Sequence, residues 1–179
     1  MAATNRQTGA AASKTPENQP QTQKISTFLW FNDNAEEAAN FYTSVFKNSR
    51  ITNISRYGET GPGPKGSVMT VEFELDGERF TALNGGPTFK FTEAISLVVH
   101  CKTQEEVDYF WEKLAEGGGQ HIECGWLKDK YGLAWQIVPD VFLEMLRNPD
   151  QQKVDRGMKA MMTMKKLDIK QLQDAVQQK

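Results

Sequence analysis

The segment EEVDYFW at residues 105–111 repeats the pattern of EEAANFY at residues 36–42, and 69 residues separate the two. Each segment belongs to a run with the apolar spacing of an amphipathic helix, and each follows a short apolar stretch, FLWF or ISLVV. Three strand-like runs follow each helix. The sequence therefore predicts an α+β fold with two βαβββ modules that arose by duplication.

Both predicted helices begin with a start signal. Asp33 and Asn34 precede the first helix, and Thr103 precedes the second, with Glu106 three residues later in a capping-box pattern. The predicted strands are ITNISRY, SVMTVEFEL and ERFTALN in the first module and QHIECGW, KDKY and LAWQIV in the second. Asp76-Gly77 predicts a two-residue hairpin. From about residue 139 the pattern predicts a helical tail.

Composition limits the classes of function. The chain has 179 residues, of which 39% are hydrophobic and 25% charged, as expected for one globular domain. A net charge of −2 without a basic stripe gives no electrostatic reason to expect nucleic acid. The longest apolar runs are far below the roughly 20 residues that a membrane-spanning helix needs, so no membrane partner is expected.

The first 23 residues contain no large apolar side chain after Met1. They bury too little surface to offset their ordering entropy, so we predict a disordered tail over residues 1–23 and a domain over residues 24–176. Cys101 and Cys124 are too few for a disulfide framework and have no metal-binding spacing, which favours buried thiols. Without a signal peptide, a cytoplasmic location is the expectation.

Five stretches carry a resemblance to a known family: FLWFNDNAEEAANFY, ALNGGP, EEVDYFWEKL, CGWLKDKYGLAWQIVP and KLDIKQLQDA. Together they resemble the PhnB-like branch of the vicinal-oxygen-chelate superfamily, which includes glyoxalases, bleomycin resistance proteins and extradiol dioxygenases. The resemblance implies that the two modules form a half-barrel around a cavity for a small-molecule ligand. It also implies a homodimer.

Metal-dependent members of this superfamily bind a divalent ion through four residues, typically His and Glu, on the first and last strands of both modules. The matching positions are Thr27, Thr81, Ser96 and Gln136, with Ala94 as the register alternative to Ser96. Imidazole and carboxylate ligands are absent from this set. The sequence therefore predicts no tightly held metal and no cofactor, with a weakly bound divalent metal as the alternative.

Gln136 has two interpretations. Its amide could orient a neutral or anionic ligand, or it could be a structural residue that hydrogen-bonds across the cavity to Thr27, Thr81 or Ser96. His100 lies on the same side of its predicted strand as Ser96. It could reach the rim of the cavity, or it could be structural. Asn84, with Gly85 and Gly86, forms either a ligand-contacting turn or a simple strand connection.

Two functions remain open at this point. The chain could be a small-molecule binding protein, or a metal-assisted isomerase, lyase or dioxygenase that acts on a small oxygen-rich compound. Many sequences of this branch are labelled 3-demethylubiquinone 3-methyltransferase, but the two glycine-rich stretches, residues 61–66 and 116–120, do not run from a strand into a helix. The nucleotide-cradling turn of common methyltransferases is therefore not predicted.

The predicted tail contains four of the seven methionines within residues 158–164. Because methionine adapts to irregular apolar surfaces, this cluster could pack in a core, form a dimer interface or bind a peptide or ligand. Five aromatic residues also offer contact area, although most are expected in the core: Trp30, Phe89, Phe91, Trp126 and Trp135.

Overall fold

A computed structural model describes residues 24–177, so the predicted disordered tail lies outside the described residues. The first module contains β1 (Thr27–Phe31), α1 (Ala35–Val45), β2 (Arg50–Arg56), β3 (Val68–Leu75) and β4 (Glu78–Asn84). The second contains β5 (Ser96–Cys101), α2 (Gln104–Ala115), β6 (Gln120–His121), β7 (Trp126–Lys128) and β8 (Ala134–Pro139). The tail contains α3 (Asp140–Leu146), α4 (Gln151–Met161) and α5 (Ile169–Gln177).

The two modules have the same sheet topology. Strand order is β1-β4-β3-β2 in sheet 1 and β5-β8-β7-β6 in sheet 2. In each sheet the first strand of the module pairs in parallel with the last, and the remaining pairs are antiparallel. The predicted duplication of a βαβββ unit is confirmed, and the two four-stranded sheets do not close into a barrel.

The two module helices are capped differently. Thr103 caps α2 as predicted, since its hydroxyl accepts a 3.3 Å hydrogen bond from the Glu106 N–H group. Asn34 precedes α1 but makes no side-chain cap bond. Instead, the Asn84 side chain at the end of β4 accepts a 2.8 Å hydrogen bond from the Ala35 N–H group. The first helix is therefore capped by its own sheet.

The hairpin between β3 and β4 forms at the predicted dipeptide. Asp76 and Gly77 both have positive φ, at 47° and 91°, and Leu75 pairs with Glu78 across the turn. These angles are those of a two-residue turn whose twist matches the flanking strands. This turn fixes which side chains of β4 face each side of sheet 1.

The predicted strand QHIECGW is wrong as one element. Only β6 and the first residue of β7 are strand, because Cys124 and Gly125 have left-handed φ values of 61° and 81°. Their N–H groups donate to Met164 O at 2.8 Å and Lys165 O at 2.7 Å in the tail. The predicted KDKY strand is also wrong, since only Lys128 is in β7 and a turn follows.

The main core lies between the inner faces of the two sheets. Tyr42 of α1 stacks on Phe73 of sheet 1 with ring centroids 6.1 Å apart and contacts Trp135 of sheet 2 at 5.5 Å. Buried residues of both sheets and both module helices form one cluster. The outer face of each sheet therefore points away from this core, and we call it the open face.

A buried carboxylate connects the two modules inside this core. Asp129 is 3% exposed and lies in the turn between β7 and β8. One carboxylate oxygen accepts from the Tyr42 hydroxyl at 2.7 Å and the Trp135 indole at 2.9 Å, and the other accepts from the Tyr131 and Leu133 N–H groups at 2.9 and 3.0 Å. Because no cation pairs with it among these contacts, burial raises the pKa of Asp129 above its usual value.

The helical tail has a small core of its own. Met164, Leu167 and Leu172 are buried together, and Met161 packs against them. Met162, in contrast, is 68% exposed. Part of the methionine cluster therefore packs in the tail core. Core packing was one of the three interpretations of this cluster.

Candidate functional site

The strand register shows which side chains lie on the open faces and which point into the core. In sheet 1, Phe28 of β1 lies beside Thr81 of β4 on the open face, while Leu29 and Phe31 point into the core. In sheet 2, Val98 of β5 lies beside Gln136 of β8 on the open face. Phe28 and Val98 are 58% and 44% exposed, so each open face presents an apolar side chain at its edge strand.

Two of the predicted site residues meet on the open face of sheet 2. The Gln136 side-chain amide donates a 2.8 Å hydrogen bond to the Ser96 hydroxyl. Both side chains are half-buried, and Trp126 of β7 lies beside Gln136 in the register. The amide oxygen of Gln136 has no partner among the described residues and can accept a hydrogen bond from another molecule.

His100 follows two residues after Val98 on the same open face. Its Nδ1 atom is 3.9 Å from a carboxylate oxygen of Asp140, the first residue of α3, and both side chains are exposed. His100 therefore lies where sheet 2 meets the tail. His100 pairs with Val138, two residues along the strands from the Val98–Gln136 pair, and it lies at the end of the open face.

Thr27 and Thr81 point to opposite sides of sheet 1. Thr27 pairs with Phe80, whose side chain is in the core, whereas Thr81 pairs with Phe28 on the open face. The predicted placement of Thr27 beside Thr81 is therefore wrong. A shift of one residue along a strand exchanges its faces, so Phe28 occupies the open-face position beside Thr81.

Asn84 is engaged in holding the first module together. Besides capping α1, its side chain donates to Val68 O at 3.1 Å, and its carbonyl oxygen accepts from the Tyr57 hydroxyl at 2.7 Å. These bonds occupy the side-chain oxygen and amide within the fold. Gly85 and Gly86 continue the turn after β4, with N–H groups bonded to Phe31 O and Asn32 O.

The side chains on the open faces do not fit a tightly bound divalent metal. Thr81, Ser96 and Gln136 are neutral, and the register partners Phe28 and Val98 are apolar. The ionisable side chains beside them, Glu72 next to Thr81 and His100 at the end of β5, lie on different sheets. Within residues 24–177, no group of three or more His, Cys, Asp or Glu side chains could hold a metal ion. The donor set is suited to hydrogen bonding with a ligand.

The sequence indicated Trp30, Phe89 and Trp126 as possible contact area but predicted most of the named aromatic residues in the core, and it did not indicate Phe28. Trp30 and Phe28 share the open face of β1, and Phe89 contacts Trp30 edge-to-face at 4.9 Å. Trp126 lies on the open face of sheet 2, whereas Trp135 is core. The run FLWF is apolar at every position, so no alternation in the sequence reveals which ring is exposed.

Cys101 does not have the properties of a nucleophile. Cys101 is buried, and desolvation raises the pKa of its thiol to about 12. Cys124 lies in the left-handed loop held by the tail. A surface cavity of about 210 Å³ lies instead between α3 and α5, with Val141, Met145, Leu172 and Val176 among its lining residues.

Comparisons with known proteins agree with this architecture. The family model described as 3-demethylubiquinone-9 3-methyltransferase matches residues 23–138. The PhnB protein from Bacillus cereus, which carries the same methyltransferase label, is 45% identical, with a TM-score of 0.60 over 65% of this chain and 99% of that chain. No curated protein matches the chain.

Two other solved structures are similar at lower identity. Protein PA1353 from Pseudomonas aeruginosa is 21% identical, with a TM-score of 0.52 over 64% of this chain and 96% of that chain. A glyoxalase/bleomycin resistance protein from Albidiferax ferrireducens T118 is 16% identical, with a TM-score of 0.44 over 64% and 97%.

The duplicated βαβββ arrangement is the one that the sequence predicted. The chain belongs to the family whose model carries the 3-demethylubiquinone-9 3-methyltransferase description, which is also the description of the PhnB protein from Bacillus cereus. The family match ends at residue 138, just before the tail helices.

As the sequence predicted, neither glycine-rich stretch runs from a strand into a helix. Residues 61–66 lie between β2 and β3, and residues 116–120 run from the end of α2 into β6, whose first residue is Gln120. Gly61 and Gly63 pack against the ring of Tyr57, where a Cβ atom would come within 2.5 and 2.4 Å of ring carbons. This packing holds the first stretch against sheet 1. Among the helices of residues 24–177, none has the length and apolar character needed to cross a membrane.

Proposed function

We propose that the protein binds a small molecule between open faces contributed by two copies of the chain, without a tightly held metal. The observation that carries this proposal is the Ser96–Gln136 pair, a hydrogen-bonded polar pair on an open face whose edge residue, Val98, is 44% exposed. A few placed polar groups within an apolar surface are typical of small-molecule sites.

The second copy is proposed because of the edge strands. β1 and β5 are each the terminal strand of their sheet. Ile25 and Phe28 are exposed at one edge, and Ile95 and Val98 at the other. Unpaired strand edges with exposed apolar side chains favour pairing with another chain. Placing β1 of one copy beside β5 of the other joins the open faces into a half-barrel.

This arrangement gives a closed homodimer. A two-fold axis that pairs β1 with the partner's β5 also pairs β5 with the partner's β1, so both edges are covered at once. The half-barrel predicted from the sequence then forms between copies. Each proposed cavity receives Thr81 from one chain and Ser96, Gln136 and His100 from the other.

Methyl transfer is not part of the proposal. Within the described residues, neither glycine-rich stretch forms the strand-to-helix turn that cradles a nucleotide-like cofactor in common methyltransferases. The family description therefore supports membership and the fold. The hydroxyl and amide groups of Thr81, Ser96 and Gln136 on the open faces support binding and orientation of a ligand.

Val98→Lys tests the proposal. A charge on β5, the edge strand that would pair with the partner's β1, should dissociate the dimer, which sedimentation velocity measures on the full chain. Met162→Lys is the matched control, because Met162 is exposed in the tail, and it should leave the dimer intact. A wild-type protein that sediments as a monomer would overturn the proposed site.

A further inference from the structure

We propose that the helical tail positions the open face of sheet 2. Residues 164–168 lie between α4 and α5, and we call this segment the strap. The strap holds the loop before β7 and thereby sets the place of Trp126 beside Gln136, so its residues are positioning residues. The inference rests on the proposed function, because it assigns to the tail a part in the open-face site.

The strap supplies backbone bonds to a loop that is unfavourable by itself. Cys124 and Gly125, which precede β7, have left-handed φ values of 61° and 81°. This conformation is costly for a residue with a side chain, so Cys124 needs bonds from elsewhere to keep it. The Cys124 N–H group donates to Met164 O at 2.8 Å, and the Gly125 N–H group donates to Lys165 O at 2.7 Å. Two consecutive bonds to the strap therefore fix the loop.

Gly125 lies between the strap and sheet 2, in close contact with both. Its carbonyl oxygen accepts a 2.8 Å hydrogen bond from the Ile137 N–H group of β8. A Cβ atom at residue 125 would lie 2.9 Å from Ile137 O and 3.0 Å from a side-chain carbon of Leu167 in the strap. Because Leu167 is itself buried in the tail core, the strap and the start of β7 are held at a fixed separation.

The loop in turn determines the place of Trp126. Trp126 follows Gly125 directly, is the first residue of β7 and pairs with Gln136 on the open face. Its N–H group donates to Glu123 O at 3.2 Å, and its carbonyl oxygen accepts from the Ile122 N–H group at 2.8 Å. Both bonds stay within the segment that forms the loop, so a displaced loop would carry Trp126 away from Gln136.

The strap is anchored to α2 as well. The Gln104 side chain donates a 3.2 Å hydrogen bond to Leu167 O and accepts a 2.9 Å hydrogen bond from the Ile169 N–H group. One turn later in α2, Asp108 pairs with Lys166 at 2.8 Å. These contacts tie the strap to the helix of the second module. Gln104 therefore acts on the open face through the strap and the loop.

The test is Gln104→Ala in the full chain, with two-dimensional NMR of side-chain N–H groups as the readout. The substitution removes both bonds of Gln104 to the tail and alters no residue of the sheets. We expect the Trp126 indole and Gln136 amide signals to shift, whereas the Trp135 indole, which is buried in the core side of the same sheet, should stay in place. A general loss of stability would not single out Trp126 and Gln136.

Gln173→Ala is the matched control. Gln173 is an exposed glutamine of α5 whose side chain makes no hydrogen bond within residues 24–177, so its replacement should leave the Trp126 and Gln136 signals in place. Lys166→Ala, which removes the ion pair to α2, takes the place of Gln104→Ala if that variant does not fold. Trp126 and Gln136 signals that keep their wild-type positions in the folded variant would overturn the inference, as would equal shifts in Gln173→Ala.

Failure of the inference is distinguishable from failure of the proposed function. Unmoved Trp126 and Gln136 signals, together with a wild type that sediments as a dimer, would overturn the role of the strap and leave the proposed site standing. A wild-type monomer would overturn the proposed function itself. A shift of Trp126 in that monomer would still support the strap as the element that positions the open face of sheet 2.

Discussion

The hydroxyl group of Tyr42 in α1 donates a 2.7 Å hydrogen bond to the carboxylate of Asp129, 87 residues later in the chain. Both side chains are buried, and each belongs to a different module. The bond therefore fixes the position of one module relative to the other. Through that position it also fixes the directions in which the two open faces point.

Tyr42→Phe should destabilise the protein by about 1.5 to 3 kcal/mol, the usual contribution of a hydrogen bond to a charged group. Urea unfolding measures the difference. Tyr131→Phe is the matched control, because its hydroxyl bonds to the exposed Glu37 at 2.9 Å and its loss should cost well under 1 kcal/mol. Equal effects of the two substitutions would show that the module contact has no special role.

Alkaline pH should remove the advantage of wild type over Tyr42→Phe. Burial, together with the charge of Asp129, raises the pKa of Tyr42 well above its ordinary value of 10.0. With the folded pKa above the unfolded value, the stabilisation is fully present below pH 10 and is lost as pH rises through the folded pKa. The free energies of unfolding of the two proteins should converge above pH 10. A constant difference between pH 8 and 11 would contradict this.

Asn84→Ala should destabilise the first module by about 1 to 3 kcal/mol, because it removes the cap of α1 and leaves the Ala35 N–H group without its partner. Asn53→Ala is the control, since Asn53 is exposed in β2 and makes only 3.4 Å contacts. Thermal unfolding of both variants checks the prediction. A loss as large in Asn53→Ala would refute the capping role.

Added zinc, nickel or manganese should leave the melting temperature of the wild type unchanged. A tight site would stabilise the protein by about 2.7 kcal/mol at a metal concentration of 100 times Kd. Gln136→Glu should gain little from metal as well, because Ser96 and Val98 beside it remain poor ligands. Strong stabilisation of the wild type by one of these ions would instead favour the metal-assisted enzyme.

Local signals in the sequence predicted much of the fold. The strand ERFTALN has the predicted bounds, and Asp76-Gly77 forms the predicted hairpin. The repeat at residues 36 and 105 correctly indicated the duplicated modules. These features depend on residues close together in the chain, which is why a single sequence contains them.

Features that depend on distant residues could not be predicted. The break at Cys124 and Gly125 depends on bonds to the tail some 40 residues later, and the cap of α1 comes from Asn84. The face of Thr27 was misassigned because its strand is apolar on both sides. Asp129 lies in a polar turn sequence, and only the assembled core shows that it is buried.

Native mass spectrometry of the full chain, purified without chelator, tests the central claim most directly. We expect a dimer that carries an organic molecule, without stoichiometric metal. Val98→Lys should appear as a monomer that has lost the ligand. A wild-type monomer, or a dimer with one tightly bound zinc, nickel, manganese or iron ion per site, would contradict the proposal of a metal-free site between two open faces.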